Sequence, residues 1–204
     1  MTTAQLTPTT DLSPAVVKVG LQLSGPEWVS CFPGSRDTST LVPEFRVAVD
    51  SFIDAMRAAG VQVRPQSTFR PIERSYLMHW CWEIKHGVDP VVVPKVDGVV
   101  IEWVHPTLHE SVRAAERMVT AYGMNNLHTA PALHSLHNDG QAIDMDISWS
   151  GSVEIEDAEG TVVHVTTTPR TGMNAQLKHI GASYGVIKFV GGATDKPHWS
   201  STGR

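Results

Sequence analysis

Apolar residues recur along the chain with two different periods, and the switches between them mark out the elements. Phe45, Val49, Phe52, Ile53 and Met56 fall three or four apart, which predicts an amphipathic helix that Gly60 is placed to end. The run Val61–Gln62–Val63 then reads as a short strand. Pro71 is suited to opening a second helix, where its missing N–H is not needed, with Tyr76, Leu77, Trp80 and Ile84 as the buried stripe. The segment DPVVVPKVDGVVIEWVH (89–105) is punctuated by proline and extended. Val112, Ala115, Met118, Val119 and Tyr122 predict a third helix stopped by Gly123. The period then changes to two: Ile143, Met145, Ile147 and Trp149 alternate with Asp144, Asp146 and Ser148, the pattern of a half-buried strand. Residues 152–167 read as a hairpin turning near Asp157–Gly160. Leu177, Ile180 and Tyr184 suggest a fourth helix ended by Gly185. GVIKFV (185–190) is a strand, and GGATDKPHWS (191–200) is a loop leading into a last short segment.

Helices interspersed with mostly adjacent strands predict an α+β fold, a largely antiparallel sheet flanked by helices. Ahead of it, residues 1–14 are Thr-rich and polar and read as a loose tail. Residues 24–44, rich in Gly, Pro and Ser, read as irregular. No repeat or linker follows, so the division expected is an N-terminal tail and extension over 1–44 and one folded domain over 45–204. With 204 residues the chain is long enough to bury ~70% of the surface it exposes when unfolded. The 41% hydrophobic and 18% charged residues exclude disorder over most of that length.

Charge and cysteine content narrow the function. A net charge of −5 without any Lys/Arg run argues against a nucleic-acid partner. Cys31 and Cys81 are too few for a disulfide framework and too far apart for a metal knuckle. They read as two mostly buried free thiols, with a single disulfide left open. The first twenty residues have neither a basic start nor an apolar segment, and no apolar run approaches the ~20 residues that span a bilayer. The expectation is a chain made in the cytoplasm without a signal peptide and without membrane insertion.

The chemistry gathers around the alternating strand, which carries two carboxylates on one face just after a loop containing His137. Gly140 permits a tight turn between them, so His137 can fold back beside Asp144, and Ala142 leaves room for close packing. Imidazole and carboxylate are usual zinc donors, and a catalytic zinc takes three protein ligands and leaves one position open. DKPHW (195–199) offers the third donor, His198, on a backbone stiffened by Pro197. Asp195, three residues upstream, can sit beside the metal without ligating it, where a general base belongs.

Ser135-x-His137-x-x-Gly140-x-Ala142-x-Asp144 followed by Asp195-x-Pro197-His198 resembles the zinc peptidases of the D-Ala-D-Ala carboxypeptidase/L-alanyl-D-glutamate endopeptidase family, which cut the peptide stems of bacterial cell walls. AGVQVRPQSTFRPIERSYL (59–77) and YGVIKFVGGATDKPHWSSTGR (184–204) extend the likeness over roughly residues 45–204. The resemblance implies a Hedgehog/D-Ala-D-Ala-peptidase-like fold and one zinc held by His137, Asp144 and His198. It also implies that Asp195 is the base for zinc-activated water and that Arg70 steadies the carbonyl oxygen. Asp at 195 is closer to the phage-type endopeptidases than to the vancomycin-resistance dipeptidases, and Phe69 stands where Tyr is frequent. The activity implied is endopeptidase cleavage of a stem peptide. The alternatives are a D,D-carboxypeptidase or dipeptidase on the same fold, another zinc hydrolase, or a non-catalytic wall-binding module.

Other residues enter as supports. Ser135 suits a hydrogen bond behind the ligands, Trp199 a wall of the substrate pocket, and Asp146 either a partner for a ligand histidine or a solvated position. His105 and His109 lack the Glu of a zinc helix and have Pro106 between them, so both read as non-ligands. A wall hydrolase without a signal peptide reaches the periplasm through a phage-made lesion or by injection as an antibacterial secretion-system effector. In the second case an immunity protein is an expected partner.

Overall fold

The computed structural model describes residues 21–204, and the tail expected over 1–14 lies outside them. In chain order the strands and helices are β1 (Gln22–Leu23), α1 (Pro43–Ala58), β2 (Gln62–Ser67), α2 (Ile72–Lys85), β3 (Ile101–Glu102) and α3 (Leu108–Ala121). They continue with β4 (Ala142–Ser148), β5 (Val153–Glu156), β6 (Val162–Val165), α4 (Ala175–Ser183), β7 (Ile187–Lys188) and β8 (His198–Ser200). The fold is α+β. Its central sheet is antiparallel throughout, in the order β2-β4-β8-β7, with a β5–β6 hairpin and a short parallel β1–β3 pair beside it. Among the described residues no helix is long and apolar enough to cross a membrane.

Two cores hold it together. The stripe predicted for α1 (Phe45, Val49, Phe52, Ile53 and Met56) is buried. It packs on Ile143, Met145 and Ile147 of β4, on Trp199 of β8 and on Leu177 and Ile180 of α4. The second core lies between α2 and α3 and includes Trp28, Ile101 and Trp103. Thr107 and Glu110 close α3 with a reciprocal capping box.

Several elements differ from the sequence pattern. Pro71 precedes α2 as its cap rather than occupying its first turn. In the stripe of α2, Cys81 is fully buried, and Trp80 is half-buried and packs against the edge of the same core. The strand expected at 61–63 runs on to Ser67, and it tolerates Pro65 because β2 is an edge strand. GVIKFV yields only two strand residues before the chain turns at Gly192–Thr194. Both thiols are free. Burial pushes Cys81 up to about 12, whereas Cys31 is exposed because Trp28 takes the inward position of its short 3-10 turn.

The irregular stretch 24–44 contains two 3-10 turns, Pro26–Ser30 and Thr38–Thr40. Its second half laces the molecule together. The Ser35 N–H donates to Phe69 O at 2.9 Å, Thr68 N–H to Ser35 O at 2.8 Å, and Val42 N–H to Gly140 O at 3.0 Å. The end of β2 and the turn before β4 are therefore held by the same few residues.

Candidate metal centre

Three elements converge on one point. The loop before β4 is a tight turn in which Asn138 N–H donates to Ser135 O at 2.8 Å and Gln141 N–H to Leu136 O at 2.9 Å. Gly140 closes it with φ +65°, and a β-carbon there would lie 3.0 Å from Thr40 O and 3.2 Å from Val42 N. Positive φ and close backbone approach together demand glycine. Ala142 follows, fully buried. On β4, Asp144 stands directly opposite His198 of β8 in the antiparallel register, so strand pairing alone sets these two side chains side by side. The turn brings His137 in as the third.

The resulting triangle is nearly equilateral. His137 Nε2 and His198 Nδ1 are 3.2 Å apart, and each lies 3.3 Å from Asp144 Oδ1. Both histidines are buried, and Asp144 Oδ1 is itself buried with no properly formed hydrogen bond. The outer ring nitrogens face main-chain oxygens: His137 Nδ1 is 3.4 Å from Thr68 O, and His198 Nε2 is 3.1 Å from Arg204 O. Protons on those outer nitrogens satisfy both main-chain oxygens, and they leave a lone pair on each inner nitrogen. In that tautomer three electron-rich atoms face one another, and a cation between them would satisfy all three. Metal–ligand bonds of about 2.0–2.1 Å at tetrahedral angles place ligand atoms about 3.3–3.4 Å apart, which is the spacing found here. The group His137, Asp144 and His198 can hold a metal ion.

Electrostatics follow the geometry. Burial would raise the Asp144 carboxyl, but the adjacent rings of His137 and His198 hold it well below the usual carboxylate range. For His198, burial favours the neutral ring, and the adjacent Asp144 carboxylate outweighs it, so its pKa is raised. Asp195 is half exposed, with Oδ2 3.9 Å from His198 Nδ1; burial and the charge of Asp144 push its carboxyl up. Arg70 is drawn down by burial and supported by the charges of Asp144 and Asp195, so its guanidinium belongs to the same electrostatic neighbourhood.

A bulge in β2 between Pro65 and Ser67 bends the strand beside the site. It leads directly to the Thr68 carbonyl behind His137 and then to Arg70. Arg70 is fixed through its main chain, its N–H donating to His137 O at 3.1 Å and its carbonyl accepting from Asn138 Nδ2 at 2.7 Å.

The remaining expected site residues are placed elsewhere. Ser135 joins the turn, its N–H donating to Asn138 Oδ1 at 2.6 Å. Asp146 is exposed and accepts from Gln66 Nε2 at 2.8 Å, while the histidines' outer nitrogens meet carbonyls. Trp199 is fully buried against Phe52 in the first core, on the sheet face opposite His198. His105 bonds Ser24 Oγ at 2.9 Å, and His109 is exposed; neither belongs to the triad. The sequence reading passed over Asn138, which ties the His137 turn to Arg70 O and Ser75 Oγ. It also passed over Lys188, whose only signal is a charge inside the apolar run GVIKFV.

Comparison of the chain with protein-family models, with curated proteins and with solved structures finds no match.

Proposed function

We propose that this chain is a zinc-dependent peptidase of the D-Ala-D-Ala carboxypeptidase/L-alanyl-D-glutamate endopeptidase type, with the corresponding Hedgehog-like fold, and that it cuts peptide stems of peptidoglycan. The observation that carries the reading is the triangle of three potential ligand atoms at tetrahedral spacing, with Asp195 Oδ2 3.9 Å from His198 Nδ1. Two imidazoles and one carboxylate are a donor set zinc accepts in catalytic sites. A zinc bound there supplies Lewis acidity and a water acidified toward neutral pH.

The protein's own groups do the rest. Asp195 Oδ2 stands close to the triad yet is half exposed, and its raised pKa suits a group that takes a proton from water and returns it to the leaving amine. Arg70 offers a positive charge to the carbonyl oxygen as negative charge builds there. Thr68 O and Arg204 O orient the two imidazoles. An endopeptidase acting in the periplasm, delivered by a phage lesion or a secretion system, remains the reading of its biological setting.

The test is digestion of purified sacculi with zinc-loaded protein, metal-stripped protein and an Asp195→Asn variant, with new termini identified by mass spectrometry. Zinc-loaded protein is expected to generate new amino and carboxyl termini in stem peptides. The variant, which keeps its metal, is expected to be slower by at least ~100-fold. Sacculi left intact by fully zinc-loaded protein, or cut only in the glycan strands, end this proposal.

A further inference from the structure

Lys188 occupies an unusual place for a charged side chain. It lies on β7 opposite Trp199 of β8 and is only 6% exposed. Its Nζ lies over the indole, 5.3 Å from the ring centroid. The ammonium is met by main-chain carbonyls: it donates to Lys196 O at 2.6 Å, His198 O at 2.7 Å and Asp195 O at 3.3 Å. An ammonium has three donors, and here all three go to one stretch of four residues. The fourth carbonyl of that stretch, Pro197 O, accepts from Met145 N–H at 2.9 Å, and His198 O also accepts from Phe189 N–H at 3.2 Å. Every carbonyl from 195 to 198 therefore has a hydrogen-bond donor.

Stability alone does not account for this arrangement. A buried ammonium carries a large desolvation cost, and an apolar side chain of similar length is usually as good or better for folding. A cation is needed because three carbonyl dipoles from one short segment converge on it and repel one another without it. With the carbonyls gathered, the segment presents the Asp195 carboxylate and the His198 imidazole to Asp144 and His137. We propose that Lys188 is a positioning residue of the metal centre: its ammonium gathers the carbonyls of Asp195, Lys196 and His198 and thereby fixes where the ligand and the base stand. This rests on the metal-binding reading of the triad and on no particular substrate.

The sign of one measurement separates positioning from mere proximity. A lysine acting only as a nearby positive charge weakens cation binding, so removing it tightens zinc. A lysine that holds the ligand segment does the opposite. Lys188→Met keeps an unbranched stem and removes the ammonium. Zinc affinity, measured by competition with a chelator, is expected to fall about 10–100-fold, the range for losing a partner that orients a ligand. The absorption bands of the cobalt(II)-substituted variant are expected to shift as the ligand geometry changes. Unchanged or tighter zinc binding with unchanged cobalt bands overturns the proposal.

If Lys188→Met does not fold, the wild-type protein decides. Nitrogen-15 spectra should show a slowly exchanging Lys188 ammonium coupled to the carbonyls of 195, 196 and 198, and an ammonium exchanging with water as freely as an exposed lysine refutes the assignment. The outcomes stay distinct from those of the proposed activity. Wild-type protein that binds zinc but leaves sacculi intact removes the peptidase and spares Lys188, whereas a Lys188→Met protein that binds zinc normally does the reverse.

Discussion

On one face of β4, Ile143, Met145 and Ile147 are at most 5% exposed and pack against α1, α4 and Trp199. On the other, Asp144 sits partly buried among lone pairs, while Asp146 and Ser148 are exposed. The two faces share a backbone and a period, and they solve different problems. The apolar face gains from contact in every direction, so many packings of similar volume would serve it. The polar face gains only from groups in register, and its three inner atoms meet within 3.3 Å of one another. Stability is spread over the first face. On the second, three potential ligand atoms are concentrated at one point, and their use depends on distances of a few tenths of an ångström.

The largest expected effect comes from breaking the polar face at its centre. His198→Ala removes one of the three donors, and a two-donor remainder does not hold zinc against a chelator. Elemental analysis after zinc reconstitution should fall from about one equivalent toward none, whereas a structural zinc site lost outright is worth roughly 10 kcal/mol or more at neutral pH. The apolar core behind β4 should survive, so the metal-free variant should keep its helical circular dichroism. Full zinc content in His198→Ala would mean that the triangle is not the binding site.

The complementary break is Met145→Ala, between the two aspartates but pointing the other way. Met145 is 2% exposed within the first core. Truncating it should cost about 2–5 kcal/mol of stability, read from denaturant unfolding. Zinc affinity of the folded fraction should hardly change, because Asp144 keeps its strand register. A parallel loss of affinity would show that the two faces are mechanically coupled more tightly than the packing suggests.

Much of this contrast is legible from the period of the chain, and the exceptions share a cause. The stripe of α1 and the alternation of β4 depend on side chains that the pattern displays directly. The same alternation puts Trp199 behind the sheet once His198 is on its front, so its position in the core rather than on a pocket wall is a consequence of strand geometry. The supports of the metal centre are another matter. Thr68 and Arg204 act through main-chain oxygens, which any residue supplies, and the partners of Lys188 are carbonyls brought to it by β7–β8 pairing. No side-chain motif marks such contacts. The stretch 24–44 likewise shows no period, because its role is to lace two loops by backbone bonds rather than to present a face.

A milder perturbation of the polar face is pH. Because Asp144 outweighs burial and raises the pKa of His198, a proton occupies that ring up to a higher pH than usual. Zinc needs the neutral ring, so below that pKa the metal must displace the proton, and affinity should drop about tenfold per pH unit for each proton released. Above it, affinity should level off. Chelator competition across the mildly acidic to mildly basic range reads this directly, and a profile that stays flat through the acidic half would remove His198 from the ligand set.

The smallest effect is expected at Asp146, and that expectation tests how local the polar face is. Asp146 shares the face of Asp144 and carries the same charge, so a centre governed by the general electrostatic field of the strand would suffer from its loss. A centre governed by direct contact would not, because Asp146 is exposed and its carboxylate accepts from Gln66 rather than from a ligand histidine. Solvent screens an exposed charge strongly. Asp146→Asn removes that charge and keeps an oxygen able to accept from Gln66 Nε2. Stability should therefore stay within about 0.5 kcal/mol of wild type, with zinc affinity shifted by about twofold at most. A tenfold or greater loss of zinc affinity at low salt that disappears at high salt would show that the field reaches two residues along the strand. The same loss at every salt concentration would mean that Asp146 touches the centre in the metal-bound protein and that the triangle has a fourth contributor.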